Sequence, residues 1–155
     1  MKKIILGLFL ILGAVSFAVP DFINTTKLQK AGYTIIEDSE TVLTIADTDV
    51  VDGDSILVAS FYLSDMSPKE LSDAIKAEAP AELKFLVSLA NNRAYVNKYK
   101  YKNEEIYTYN FVPKKQKSKV CHISVLYMTE KDLSGAALNK AVDSSLNEAE
   151  SLLNF

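Results

Sequence analysis

The chain has no tryptophan, one cysteine, one histidine, four prolines and five glycines in 155 residues. A lone cysteine excludes an internal disulfide, so the fold must rest on packing. One cysteine and one histidine supply only two of the four ligands of a structural zinc site, so no metal site or cofactor is expected. The chain contains no G-x-S-x-G, no phosphate-cradling G-x-x-x-x-G-K-[ST] and no H-E-x-x-H. The usual serine-hydrolase, nucleotide-hydrolase and zinc-protease signatures are therefore missing. After the first 18 residues no apolar run is long enough to span a bilayer as a helix.

Those first residues, MKKIILGLFLILGAVSFA, have the layout of a secretory signal peptide. Lys2 and Lys3 give the positive start, Ile4 to Val15 the apolar run, and Ser16-Phe17-Ala18 the small residues of a cleavage site. Cutting after Ala18 leaves 137 residues, enough for one domain with its own core. The expected location is periplasmic or secreted. Residues 19–31 read as a lead-in, and 32–155 as a single domain. Asn24-Thr25-Thr26 matches a glycosylation acceptor that matters only in a eukaryotic secretory pathway.

Charge is unevenly spread. The whole chain carries −3, or −5 without Lys2 and Lys3. Residues 93–119 hold Arg93 and seven lysines against Glu104 and Glu105, a local excess of +6. Lys98, Lys100, Lys102, Lys114, Lys115 and Lys117 are the candidate partner-binding residues, and an anionic envelope polymer or protein is the partner such a field would attract. Surface lysines are also ordinary solvated residues. Nucleic acid is a poor partner for an exported acidic chain.

Three β-rich runs open the domain: GYTIIE (32–37), TVLTIAD (41–47) and SILVASFYL (55–63). The third is apolar on both faces, with Ile56, Val58 and Tyr62 on one and Leu57, Ala59, Phe61 and Leu63 on the other, which predicts an interior strand. Between the second and third lies DTDVVDGD (47–54). Its spacing fits no EF-hand register, so it reads as a turn at Asp52-Gly53. Ser67-Pro68-Lys69-Glu70 is a helix start with N-cap, proline at the first helical position and a capping-box glutamate. Leu71, Ala74, Ile75 and Glu78 continue at helical spacing until Pro80. Residues 81–90, AELKFLVSLA, fit helix and strand equally.

RAYVNKYKYKNEEIYTYNFV (93–112) reads as a hairpin. Tyr95, Asn97, Tyr99 and Tyr101 alternate with lysines; Tyr107, Tyr109 and Phe111 alternate on the second strand. A three-residue turn, Asn103-Glu104-Glu105, would set Tyr101 opposite Tyr107 and Tyr99 opposite Tyr109, gathering the tyrosines on one face. That face is expected to be core; an exposed stacking platform is the other reading. From about Asp132, Leu138, Ala141, Val142, Ser145, Ala149, Leu152 and Leu153 form a helical stripe. The helix also removes Phe155 from consideration as the end of an outer-membrane barrel strand.

Cys121 and His122 stand side by side in KVCHISVLYM (119–128). A thiol beside an imidazole suggests a nucleophile and its base. On a strand, however, neighbours point to opposite faces, and a catalytic pair must be within hydrogen-bonding reach. The pattern predicts a strand with Cys121 buried and His122 facing the other way. No catalytic residue is assigned.

The order of elements, with GYTIIE, the helix from Ser67, NRAYVNKYKY, IYTYNF, CHISVLYM and the last helix, resembles the PsbP-like α+β fold across residues 32–155. The resemblance implies an antiparallel sheet between helices. The tryptophan common near that family's first strand is absent, Asp38-Ser39-Glu40 stands there instead, and the family's functions vary, so no function or site residue carries over. The sequence thus specifies an α+β domain: an antiparallel sheet with a mid-chain helix and a long C-terminal amphipathic helix packed on it. The expected function is an exported non-enzymatic binding or structural protein. The alternative is a small envelope hydrolase using two carboxylates, which requires a cleft lined by acids with shifted titration.

Overall fold

The computed structural model describes residues 20–47, 55–119 and 121–154. Residues 1–18, where the sequence pattern places a signal peptide, lie outside the described residues, as does all of the aspartate-rich DTDVVDGD segment except Asp47. Among the described residues the fold is α+β, one seven-stranded antiparallel sheet with three helices. The elements are α1 (Thr25–Lys30), β1 (Thr34–Asp38), β2 (Val42–Asp47), β3 (Ser55–Leu63), α2 (Pro68–Ala77), β4 (Leu83–Ala90), β5 (Ala94–Tyr101), β6 (Tyr107–Pro113), β7 (Cys121–Thr129) and α3 (Gly135–Ser151). Strand order is β1-β2-β3-β7-β6-β5-β4. Two meanders, β1 to β3 and β4 to β7, therefore join along the β3–β7 pair, which runs from Ser55 opposite Thr129 to Leu63 opposite Cys121. The interior position of β3 agrees with its two apolar faces.

α3 covers one face. Its Leu138, Val142, Leu146 and Ala149 are buried against Phe61, Phe111, Ile123 and Val125. The lead-in belongs to this core. Ile23 bridges to Leu153, Asn24 N–H donates to the Leu152 carbonyl at 2.7 Å, and Leu28 of α1 is buried beneath. Gly32 closes α1 with φ of 73°, a left-handed conformation that side chains oppose. α2 covers the other face, and the predicted capping box holds its start: Ser67 N–H donates to Glu70 Oε2 at 2.8 Å and Glu70 N–H to Ser67 Oγ at 3.3 Å. The Ser67 backbone N–H, and after it the Ser67 hydroxyl, hold the Glu70 carboxyl below its ordinary range.

The structure decides one reading that the sequence left open and corrects another. The ambiguous segment 81–90 is a strand, β4, at the edge of the sheet. The hairpin register differs by one residue from the expected one. Lys100 stands opposite Tyr107, Tyr99 opposite Thr108 and Lys98 opposite Tyr109, and Tyr101 N–H donates to the Ile106 carbonyl at 2.9 Å. The loop is Lys102–Glu105, and no single tyrosine face forms. The physical reason is the second helix. With α2 and α3 on opposite faces, both sides of the hairpin must supply buried apolar surface. Tyr109 and Phe111 pack into the α3 core, while Tyr99 is buried and Tyr101 half-buried on the α2 side. The lysines tolerate this because their stems lie along aromatic rings: Lys98 Nζ is 5.2 Å from the Tyr107 centroid and Lys100 Nζ 5.3 Å.

Leu146 is fully buried and Leu63 is 40 % exposed. Leu146→Ala is expected to cost about 2–5 kcal/mol and Leu63→Ala less than about 1 kcal/mol. Urea unfolding midpoints measure both; equal costs would contradict the placement of the α3 core.

Candidate functional site

A row of polar side chains crosses the whole sheet on its α2 face, one from each strand. Glu37 stands opposite Thr44, Thr44 opposite Ser60, and Ser60 opposite Ser124. On the far side Ser88 stands opposite Asn97 and Asn97 opposite Asn110. Asn110 Nδ2 donates to Ser124 Oγ at 2.8 Å and closes the row between β6 and β7. The observed hairpin register makes this possible, because the expected one would have set Asn110 opposite Lys98 instead of Asn97.

Buried polar groups are costly unless bonded. Much of the row satisfies itself. Thr44 and Ser60 hydroxyls are 3.0 Å apart, Ser88 donates to Asn97 Oδ1 at 2.7 Å, and Asn97 Nδ2 donates to the Ser72 carbonyl at 3.0 Å. That last bond fixes α2 over the β5 end of the row. Toward β1 the row forms the floor of a cavity of about 320 Å³ between the end of α2 and the sheet. Its walls are apolar, with Val58, Ile75, Leu83 and Leu126 among them. Two lining residues carry buried polar atoms without a hydrogen-bond partner, Tyr99 Oη and Asn110 Oδ1.

The charged residues on the described lining are Glu37 and Glu78, the two acids on which a carboxylate hydrolase would have to rest. Burial raises the Tyr62 phenol above its ordinary range; Glu37 and Glu78 push in the same direction, and the hydroxyls of Ser60 and Ser124 oppose it. Burial likewise raises Tyr99 and Tyr101. All three phenols therefore enter the cleft as neutral hydroxyls. The arrangement presents apolar walls, a hydrogen-bonding floor and an acidic margin.

The six candidate lysines do not form one patch. Lys98, Lys100 and Lys102 lie along and beyond β5 toward the Lys102–Glu105 loop, whereas Lys114, Lys115 and Lys117 follow Pro113, which stands opposite Ala94 at the other end of that strand. Lys98 is ion-paired with Asp132, and Lys100 with Glu105 at 2.8 Å. Lys114 Nζ lies 5.4 Å from the Tyr95 ring, and Lys117 Nζ is 3.9 Å from Glu150. Lys114, Lys115 and Lys117 share a basin with Arg93. Arg93 is itself committed to α3, through Asp143 at 3.2 Å, Asn147 at 2.7 Å and Glu150 at 3.3 Å.

Cys121 and His122 point to opposite faces, as the strand period requires. Cys121 is fully buried in the α3 core; His122 stands opposite Tyr62 on the α2 face, with Nδ1 unpartnered. Among the described residues no group of three or more His, Cys, Asp or Glu side chains is placed to hold a metal ion. The polar row escaped the sequence reading because each strand contributes only one such residue. Its signal was there: a single Ser, Thr or Asn in the middle of an otherwise apolar or alternating run, as with Ser60 in SILVASFYL and Ser124 in CHISVLYM.

No family model, curated protein or solved structure matches the chain.

Burial pushes the Cys121 thiol up to about 11 from 9.0. The native thiol should therefore ignore a disulfide reagent at pH 8 and react promptly in denaturant. Because the folded value is the higher, the associated stability is complete below pH 9.0 and is lost as pH rises toward and past about 11, at up to about 1.4 kcal/mol per unit. Rapid labelling of the native protein at pH 8 would contradict this placement.

Proposed function

We propose that the chain is a non-enzymatic binding protein working outside the cytoplasm, periplasmic or secreted, whose ligand is a small amphipathic molecule held in the cleft beneath α2. The signal-peptide pattern of residues 1–18 supports the location. The cleft supports the activity, and one observation carries it: a cavity of about 320 Å³ with apolar walls over a floor of aligned hydroxyl and amide groups. Small-molecule sites are of this kind and size, mostly apolar with a few convergent polar groups. Glu37 and Glu78 at the lining disfavour an anion, so the ligand is neutral or cationic. Its apolar body lies against Val58, Ile75 and Leu126, and its polar group meets the row at Ser60, Ser124 and Asn110.

The neutral fluorophore N-phenyl-1-naphthylamine serves as a probe. Its emission is expected to rise saturably at one equivalent per chain. At 100 times the dissociation constant the protein gains about 2.7 kcal/mol, a melting shift of about 10 °C. Ala79, half-buried on the lining, allows the cleft to be filled without opening the core. Ala79→Trp should abolish saturable binding and leave the unliganded melting temperature near that of the parent. Binding that is unsaturable, or unaffected by Ala79→Trp, removes the proposal.

A second reading keeps the anionic partner on a reduced surface. Lys114, Lys115 and Lys117 are exposed around one basin with Arg93, and Glu150 is the acid on its lining. Retention on a heparin matrix that falls with salt and is lost in a Lys114→Gln, Lys115→Gln, Lys117→Gln variant is the expected result. Absence of salt-sensitive retention in the parent rejects it.

A further inference from the structure

Among the described residues β4 ends the sheet and has one strand neighbour, β5. Phe85, Leu86, Val87 and Leu89 are 39–42 % exposed, four of the seven exposed large hydrophobics among the described residues. An open apolar strand edge is a template for another strand. The opposite edge, β1, is only five residues long and carries Glu37 and Asp38, charges that discourage such pairing.

A β-bulge decides which strand fits β4. Leu83, Phe85, Ser88 and Ala90 pair with Tyr101, Tyr99, Asn97 and Tyr95, and so share the α2 face. Lys84, Val87 and Leu89 pair with Lys100, Lys98 and Val96, and share the α3 face; Leu86 is the extra residue. Face order therefore reads the same from either end about the Leu86–Val87 bond. Two antiparallel copies of a regular strand keep their faces matched only when centred on a residue. Two copies of β4 keep them matched only when centred between Leu86 and Val87.

We propose that two copies of the chain pair antiparallel through β4 about that centre. The contacts are Leu83 with Ala90, Lys84 with Leu89, Phe85 with Ser88, and Leu86 with Val87 of the second copy. Lys84, the one charged residue of β4, then meets an apolar residue, and the two Lys84 side chains stand apart. The contact is isologous and closes at two copies, leaving both clefts on one face of a continuous sheet. A single strand pair sits at the small end of specific interfaces, below about 1,200 Å² of total buried surface, so the dimer is concentration-dependent.

Sedimentation equilibrium over about a hundredfold range of concentration tests this. The weight-average mass should rise from one chain toward twice that and stop there. Leu86→Lys places two ammonium groups beside the two-fold axis and should hold the protein at one chain throughout, with unchanged circular dichroism and melting. Ile35→Lys on the β1 edge should leave dimerisation intact. Register is read by oxidising Lys84→Cys and Leu89→Cys proteins: a mixture should cross-link, and neither variant alone should, Cys121 being buried. Overturning results are a monomer at every concentration, growth beyond two copies, a Leu86→Lys dimer, loss of the dimer in Ile35→Lys, or cross-linking within a single variant.

Discussion

Nine residue pairs between β3 and β7 hold this molecule together as one sheet. Every other strand pairing joins neighbours in sequence, and each meander on its own would be three or four strands with an uncovered edge. The β3–β7 seam does more than add hydrogen bonds. It sets Phe61 opposite Ile123 beneath α3, and Ser60 opposite Ser124 on the other face. The first pair continues the core across the two meanders; the second continues the polar row. Apolar packing on one side and aligned polarity on the other therefore depend on the same register. A slip of one residue would send Ser124 to the α3 side and Ile123 into the cleft.

The two faces divide the work. The α3 face is densely apolar, and with no disulfide available it carries the stability. The α2 face mixes buried hydroxyls and amides with apolar residues, and α2 lies over only part of it. A helix that covered the row from end to end would have needed a polar partner for each group. Instead, Ser72 meets Asn97, and the row from Asn110 to Glu37 borders a cavity.

Much of this was legible in the sequence. The capping box at Ser67, the two-faced apolar β3 and the opposite directions of Cys121 and His122 all follow from local chemistry and the period of a strand. The hairpin register was not legible. Its expected form gathered Tyr99, Tyr101, Tyr107 and Tyr109 on one face because a sheet with one buried side keeps its aromatics together. The sheet has two buried sides, and the pairing of Lys98 with Tyr109 and Lys100 with Tyr107 follows. Neither could the candidate lysines be sorted by counting charge. Asp132 and Glu105, which pair with Lys98 and Lys100, are found by folding, and Arg93 is spent on Asp143, Asn147 and Glu150 of α3. The polar row is a collective property. No single strand reveals it, since it exists only when seven strands are placed side by side.

The bridge between Ile23 and Leu153, with Asn24 and Phe22 bonded to Leu152 and Asn154, has a consequence in time. A chain made from its N-terminus forward has the β1 to β3 meander early, but that meander's long-range partner is β7, and the lead-in's partners lie beyond α3. Contacts of such long sequence separation form slowly. The core thus cannot close until α3 and Leu153 are in place, so its assembly waits on elements far along the chain from those it begins with.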